Sequence, residues 1–301
     1  MRKVTSSNGY AVEERDELSP EEFMRSHVAR RRPVVLRRAL SRCDALAHWT
    51  LSGLREKAGG RPVVLKEWSA TGIRVTRSRL DAYIDGLEAH ERLVAAGGEA
   101  ATPAYLHDIP LTSMLPGAAL DLAPFPSAFF PRWYGAHWTS FAQMFLGPTA
   151  SLTPLHFDCL LTHNLFFQVW GRKRFILVPH EDLAKCYPRD WRWCGVDAER
   201  PDFDRFPLFR DARRAEVVVE AGDLLYMPPG VLHHVRSLDC SLSFNVDWHT
   251  RSSVARGVAA VLRGMPAKNV YYNLLIALGL WGGAPMRHVL PYYKPYLSYI
   301  S

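Results

Sequence analysis

The chain has 301 residues, of which 48% are hydrophobic and 12% aromatic, and it carries a formal charge of +7. This composition excludes an intrinsically disordered chain and allows one large domain or two small ones. The positive charge fits either a polyanionic partner or arginines spread over the surface. The densest basic cluster, at residues 30–38, flanks a short apolar strand, which favours the second interpretation. No nucleic-acid partner is therefore expected.

Cysteine usage and apolar runs bear on the compartment. The five cysteines are odd in number, scattered and without a CxxC pair, which is typical of a reducing environment. The first residues are polar and lack the apolar stretch of a signal peptide. The longest apolar run, residues 274–281, is far shorter than the roughly 20 residues that span a bilayer. We expect a cytoplasmic protein without a membrane partner.

The first half of the chain predicts mixed short elements. Ser19 followed by Pro20 is a helix start with a side-chain cap. Residues 33–36 and 62–66 predict strands, and shorter helical patterns begin at Ser52 and Arg79.

The second half changes pattern. Between residues 139 and 248, short β-prone runs alternate with Gly and Pro, which favours an antiparallel sandwich or barrel over βαβ units. From residue 251 onward the apolar spacing is helical. We therefore divide the chain into a flexible N-terminus (1–17), one β domain with N-terminal helical elements (18–250) and a C-terminal helical segment (251–301).

The stretch TPLHFD, residues 153–158, is a candidate metal site. In a strand, His156 and Asp158 share one face and their apolar neighbours share the other. The stretch GDLLYMPPGVLHH, residues 222–234, supplies a further histidine from a later strand. Together they would form a 2-His-1-carboxylate triad, which leaves three positions open on Fe(II). The HxD motif alone is weak evidence for a metal site, since it also fits a polar interruption in a buried strand. Alternation modestly favours His233 over His234 as the third ligand.

These motifs resemble a known family. LTPLHFD, NLFFQVWGRKRFILVP, DFDRFPLF, GDLLYMPPGVLHHVRSL and LSFNVDW are similar to the JmjC branch of the cupin superfamily, specifically oxygenases like factor-inhibiting HIF and the small JmjC hydroxylases. The resemblance covers roughly residues 18–250. It implies a mainly β, double-stranded β-helix (jelly-roll) barrel, with N-terminal α/β elements and C-terminal helices. It also implies a dioxygenase that uses Fe(II), 2-oxoglutarate and O2, with His156, Asp158 and His233 as metal ligands.

The resemblance also implies a co-substrate pocket. Lys173 matches the lysine that holds the far carboxylate of 2-oxoglutarate, although a GRKR turn on charge alone would be surface. Thr153 and Tyr105 match hydroxyl donors to the same carboxylate. Asn164 and Asn245 match amides at the metal-bound end of the co-substrate.

Residues 159–163 (CLLTH) depart from the family pattern. The segment is two residues longer than the family pattern that this sequence resembles, so we expect it to bulge the strand end. This makes the assignment of Asn164 weaker than that of Lys173. His163 is expected to lie in a loop beside the site and not to bind metal.

The sequence says less about the substrate and the oligomeric state. The resemblance favours hydroxylation of an amino-acid side chain in a protein or peptide, then of a small molecule or natural-product intermediate; demethylation fits less well. A cupin with different metal chemistry and a non-catalytic binding module remain alternatives, which the complete ligand and co-substrate sets disfavour.

Aromatic segments near the predicted barrel mouth are candidates for substrate contact. Residues 187–209, with Trp191, Arg192 and Trp193, either contact substrate or anchor a long loop. Residues 124–138 are a second aromatic lip candidate. Relatives dimerise through C-terminal helices, so residues 270–281 predict a homodimer, with packing over the barrel as the alternative.

Overall fold

The computed structural model describes residues 5–297 except 8, 70, 71, 100 and 124. The described residues are dominated by short strands. These are β1 (Thr5–Ser7), β2 (Glu13–Arg15), β3 (Val34–Leu36), β4 (Pro62–Ser69), β5 (Gly72–Arg79), β6 (Tyr105–Pro110), β7 (Ala142–Gly147), β8 (Leu152–His156), β9 (His163–Trp170), β10 (Lys173–Val178), β11 (Arg214–Val219), β12 (Leu224–Met227), β13 (Leu232–Ser237) and β14 (Ser241–Trp248).

The strands form two sheets. One has the order β1-β11-β10-β13-β8, and the other β2-β3-β12-β9-β14-β7-β6-β4-β5. Neighbours in sequence, such as β9 and β10, lie in different sheets, which is the double-stranded β-helix arrangement. The predicted mainly β jelly roll is confirmed. In the described part of the chain its two sheets form an open sandwich, so the predicted barrel is not closed.

Helices precede and follow the sandwich. The α-helices are α1 (Pro20–Glu22), α2 (Ala45–His48), α3 (Leu51–Ala58), α4 (Leu80–Ala95), α5 (Leu111–Met114), α6 (Ala118–Asp121), α7 (Arg251–Ala259), α8 (Ala267–Leu280) and α9 (Met286–Leu297). A π-helical turn, Phe23–Val28, follows α1, and 3-10 turns cover Ser127–Phe129, Gly135–Phe141, His180–Cys186, Pro207–Asp211 and Ala260–Arg263. None of the described helices is long and apolar enough to cross a membrane.

The N-terminal helix starts as predicted. Ser19 has an extended backbone, and its hydroxyl accepts a hydrogen bond from the Glu22 N–H at 3.2 Å. Pro20 occupies the first turn, where its missing N–H costs nothing.

The prediction of a flexible N-terminus over residues 1–17 needs correction. Thr5–Ser7 pairs antiparallel with β11, and Glu13–Arg15 pairs parallel with Val34–Leu36. Free strand edges supply backbone hydrogen bonds to any segment that reaches them, whatever its hydrophobicity. Residues 1–4 and 8 lie outside the described residues.

The aromatic lip predicted at residues 124–138 is also corrected. Phe125, Phe129, Phe130 and Trp138 are all at most 5% exposed and belong to the main hydrophobic core. Phe130 stacks on Trp138 with ring centres 5.1 Å apart. These aromatic side chains therefore stabilise the sandwich and leave no lip for a substrate. Residue 124 itself is outside the described part.

The C-terminal helices pack against the sandwich with one face. The side-chain amide of Asn273 donates to the Leu160 carbonyl at 3.3 Å, and that of Gln143 donates to the Leu297 carbonyl at 3.1 Å. The opposite face of α8 stays exposed and apolar. Its residues, each about half exposed, are Tyr271, Leu274, Leu278 and Trp281.

Candidate metal and co-substrate site

Two histidines and a carboxylate converge between the sheets. His156 ends β8 and His233 lies opposite it on β13, with ring centres 4.2 Å apart. Asp158 follows two residues after His156, and its Oδ1 lies 3.8 Å from His233 Nε2. One ligand atom from each residue lies within 4.8 Å of the others. Cross-strand pairing thus joins residues that are far apart in sequence.

Both histidines are prepared to bind a cation through Nε2. The Nδ1 of His156 lies 2.8 Å from the Pro154 carbonyl, and that of His233 lies 3.2 Å from the Val231 carbonyl. Because a carbonyl only accepts, each Nδ1 carries the proton and each Nε2 keeps its lone pair. Burial lowers the pKa of both imidazoles, so they are neutral at physiological pH. Neutral imidazoles and one carboxylate fit a divalent metal such as Fe(II).

Asn164 orients the carboxylate ligand. Its Nδ2 donates to Asp158 Oδ2 at 3.0 Å, and its Oδ1 is buried without a hydrogen-bond partner. The structure therefore places Asn164 in the cavity in contact with Asp158, and its predicted contact with the co-substrate stays a prediction. Of the two adjacent histidines, His233 faces the triad, while His234 lies beside Glu199, with Nε2 and Oε2 3.6 Å apart.

A β-bulge explains why Thr153 and His156 face the same cavity although they are three residues apart. Thr153 pairs with Val235 and His156 pairs with His233, so β8 contains one residue more than β13 between the two pairs. Such an extra residue redirects the side chains that follow it. Thr153 Oγ1 lies 3.3 Å from His107 Nε2.

Lys173 is the fully buried cation of this cavity. Its ammonium donates to the Tyr105 hydroxyl at 2.5 Å and to the Ser243 hydroxyl at 2.8 Å. The rings of Tyr105, Phe145 and Phe166 surround it at 5.1 to 5.5 Å. No acidic group pairs with Lys173 among the residues that the structure describes, and burial lowers the pKa of Lys173 to about 7. The surface position that charge alone suggested for Lys173 is wrong, and an anion would remove the cost of burying it.

A second polar group lies beside this cage. Asp108 Oδ2 lies 2.8 Å from His107 Nδ1 and 3.3 Å from the Lys66 ammonium, with all three residues buried. These neighbours hold the pKa of Asp108 well below its usual range against the effect of burial, so the carboxylate is ionised. Burial lowers the pKa of His107 to about 4, so that imidazole is neutral.

The polar face of β14 lines the other side. Asn245 and Asp247 face the cavity, while Phe244 and Val246 face the main core. Asn245 Nδ2 lies 3.4 Å from Asp247 Oδ1, and Asn245 Oδ1 is buried without a partner. Burial raises the pKa of Asp247 well above its ordinary value. The unpaired amide oxygens of Asn164 and Asn245 show that the cavity is polar and unsatisfied, as a site for a polar co-substrate requires.

Residues 187–209 reach the metal ligands directly. Residues 192–194 extend the sheet along the end of β8: the Phe157 N–H donates to the Arg192 carbonyl, and His156 forms a bridge with Trp193. The Trp193 ring stacks on His156 at 4.6 Å, and Arg192 lines the cavity. Trp191 instead donates to the Cys159 carbonyl at 2.8 Å and packs against the core. Trp191 thus anchors the insertion, whereas Arg192 and Trp193 lie beside the site, and contact with substrate stays a prediction for these two residues.

Residues 159–162 of the lengthened segment form a turn held by the C-terminal helices. Leu161 adopts a left-handed backbone conformation, and Tyr296 of α9 lies 3.4 Å from the Cys159 thiol and lines the cavity. His163 is not a loop residue: it begins β9, is buried, and its Nδ1 lies 2.7 Å from the Tyr226 hydroxyl.

Several cavity residues were not predicted. Asp247 lines the cavity and Ser243 contacts Lys173, and alternation in β14 places both on the face of Asn245. No sequence signal marks the others, because they reach the cavity from distant segments. They are His107, Asp108, Gln143 and Tyr296.

Comparison with known proteins supports this geometry. Residues 20–254 match the cupin-like domain. The chain is 28% identical over 272 residues to the Jumonji C domain-containing protein 5 of Drosophila melanogaster, covering 82% of this chain and 62% of that protein. It is 29% identical over 242 residues to the lysine-specific demethylase JMJ30 of Arabidopsis thaliana, covering 79% and 54%.

A third similar protein is the 2-oxoglutarate and iron-dependent oxygenase JMJD4 of Gallus gallus, 29% identical over 163 residues, which are 50% of this chain and 37% of that protein. In all three cases the chain spans less than two thirds of the relative's own length. The match to the cupin-like domain nevertheless covers most of this chain, and the triad lies within it. The chain belongs to the cupin-like domain family, in the branch that includes the JmjC proteins.

Proposed function

We propose that the protein is an Fe(II)- and 2-oxoglutarate-dependent dioxygenase that hydroxylates an amino-acid side chain of a protein or peptide. The observation that carries this proposal is that one cavity contains both the triad and the buried Lys173 cage. A metal triad alone fits many cupins. A buried cation with two hydroxyl partners at the same site adds a place for a carboxylate.

Each group has a role in this proposal. His156, Asp158 and His233 would hold Fe(II), and Lys173, Tyr105 and Thr153 would hold the far carboxylate of 2-oxoglutarate. With O2, the bound metal and co-substrate supply the oxidising chemistry that yields succinate, CO2 and a hydroxylated product. The protein orients the groups: the Pro154 and Val231 carbonyls fix the tautomers of the two histidines, and Asn164 fixes Asp158.

The test is succinate release from 2-oxoglutarate with Fe(II), ascorbate and a peptide pool, followed by mass spectrometry for a gain of one oxygen atom. We expect succinate and an oxidised peptide with the wild type and neither with His156→Ala. Formaldehyde release would instead indicate demethylation, the activity in the name of the relative JMJ30. Turnover only with a metabolite pool would indicate a small-molecule hydroxylase. No turnover and no thermal stabilisation by 2-oxoglutarate would leave a non-catalytic binding module.

We also infer the assembly and compartment. The exposed apolar face of α8 supports a homodimer, and five unpaired cysteines support a reducing, cytoplasmic environment. The absence of a nucleic-acid or membrane partner stays a prediction from the sequence.

A further inference from the structure

Arg192 is held in the cavity wall by its backbone. Its N–H donates to Asp190 Oδ1 at 2.9 Å, and its carbonyl accepts from the Phe157 N–H at 3.2 Å. The neighbouring Trp193 bridges to the metal ligand His156. The backbone of Arg192 is therefore held in place beside the triad.

The guanidinium of Arg192 has no acidic partner within 4.0 Å among the residues that the structure describes. Its Nε is buried without a hydrogen-bond partner, and its Cζ lies 4.6 Å from the centre of the Trp193 ring. In contrast, Lys66 in the same region is paired with Asp108 at 3.3 Å. A guanidinium always carries its charge and presents five donors in a planar fork that suits a carboxylate. The Cys159 thiol is a hydrogen-bond partner of the guanidinium, but the Nε has none among the described residues, which leaves a donor for an anionic ligand in this cavity.

Building on the proposed function, we propose that Arg192 binds a carboxylate of the acceptor substrate, so that the enzyme selects acidic acceptors. The carboxylate belongs to an aspartate or glutamate side chain or to a free C-terminus, since the fork recognises either. Arg192 is thus a substrate-binding residue that determines specificity.

The experiment measures binding to protein loaded with Mn(II) and 2-oxoglutarate. Three probes are titrated by calorimetry: N-acetyl-aspartate α-amide, which offers a side-chain carboxylate, N-acetyl-alanine, which offers an α-carboxylate, and N-acetyl-asparagine α-amide, which offers neither. We expect at least one acidic probe to bind about tenfold more tightly than the neutral one. The tighter acidic probe identifies which source of carboxylate is used.

Arg192→Gln should abolish this preference without changing the affinity for 2-oxoglutarate, and Arg192→Lys, which keeps the charge but loses the fork, should retain part of it. Arg189→Gln is the matched control, because Arg189 belongs to the same insertion but lines a separate groove. Should Arg192→Gln not fold, the partial loss in Arg192→Lys is decisive.

Equal binding of the acidic and neutral probes, or no binding of either acidic probe, would overturn the proposal. A parallel loss of 2-oxoglutarate affinity in Arg192→Gln would overturn it too, since Arg192 would then bind the co-substrate. These outcomes are separable from failure of the proposed function, in which 2-oxoglutarate would neither stabilise the wild type nor yield succinate.

Discussion

Burial gives the Lys173 ammonium a pKa of about 7, against an ordinary value of 10.5. A carboxylate at this site would favour the charged form and raise that pKa. Above pH 7, binding of 2-oxoglutarate must therefore take up a proton. We expect its affinity in the presence of Mn(II) to be constant below about pH 6 and to fall, approaching about tenfold per pH unit, above pH 7.

The measurement is calorimetry across pH in buffers of different ionisation enthalpy, which reports the proton uptake. Lys173→Arg is the control: its charge is permanent, so the proton uptake should disappear. Lys173→Ala should weaken binding by about 3–5 kcal/mol, since the carboxylate would be buried without a charge partner. An affinity in the wild type that does not change between pH 6 and pH 9 would contradict this role of Lys173.

Asn164 gives a second prediction for a single residue. Because its amide donates to Asp158 Oδ2, Asn164→Ala should weaken metal binding by about tenfold to a hundredfold, the usual effect of removing a group that orients a ligand. Asn245→Ala is the matched control, since Asn245 contacts Asp247 and not Asp158. The readout is a Mn(II) titration. Unchanged metal affinity together with weaker 2-oxoglutarate binding would return Asn164 to the co-substrate role first predicted.

At the residue scale, the spacing of residues along the sequence predicts which side chains share a face only where they alternate along a strand. The polar face of β14 follows from strand periodicity alone. Periodicity also predicted that His156 and Asp158 would lie together, although β8 ends at His156 and Asp158 lies two residues beyond it. The role of Arg192 does not, because its position depends on an insertion folding back onto β8. The same holds for Tyr296, which reaches the cavity from α9.

The turn between β9 and β10 gives a prediction at the scale of elements. Gly171 has a φ of +72°, and a Cβ there would lie 2.4 Å from the Cys240 carbonyl oxygen. Gly171→Ala should therefore cost about 3 kcal/mol in the free energy of unfolding, from the left-handed backbone and the clash together. Because the turn precedes Lys173, the variant should also weaken 2-oxoglutarate binding.

Urea denaturation measures this cost. Gly264→Ala is the control, since Gly264 has a φ of +91° with no atom within 4 Å of the added Cβ, and should lose only about 1 kcal/mol. Equal losses in the free energy of unfolding of the two variants would show that the close approach of Gly171 to the start of β14 does not affect stability.

Strand-forming runs identified most of the sandwich, and the exceptions have physical causes. β5 is polar and largely exposed, and it forms because it pairs with β4 along its full length. β1 and β2 contain three residues each and pair with existing edges. Local sequence does not report such pairing, because the stabilising partner lies elsewhere in the chain.

At the scale of the whole molecule, the C-terminal helices have two functions. Through Asn273 and Tyr296 they hold the turn at residues 159–162 and complete the cavity wall. Because this turn joins Asp158 to β9, the metal site depends on a segment beyond the matched domain, which ends at residue 254. The sequence left packing over the sandwich and dimerisation as alternatives. The buried inward face of α8 packs over the sandwich. The exposed outward face supports dimerisation, which remains a proposal.

The outward face has the spacing that a self-complementary helix pair needs. Tyr271, Leu274, Leu278 and Trp281 follow one another at intervals of three, four and three residues, and each is between 47% and 56% exposed. Alternate steps of three and four form the apolar seam by which two helices pack, and a two-fold axis brings the same face of both copies together. We expect a dimer in solution at micromolar concentration and a monomer for Leu278→Glu, measured by analytical ultracentrifugation. Leu120→Glu, at a residue 79% exposed outside this face, should remain dimeric. A monomeric wild type at tens of micromolar would exclude the dimer, and a dimeric Leu278→Glu would place its interface on another surface.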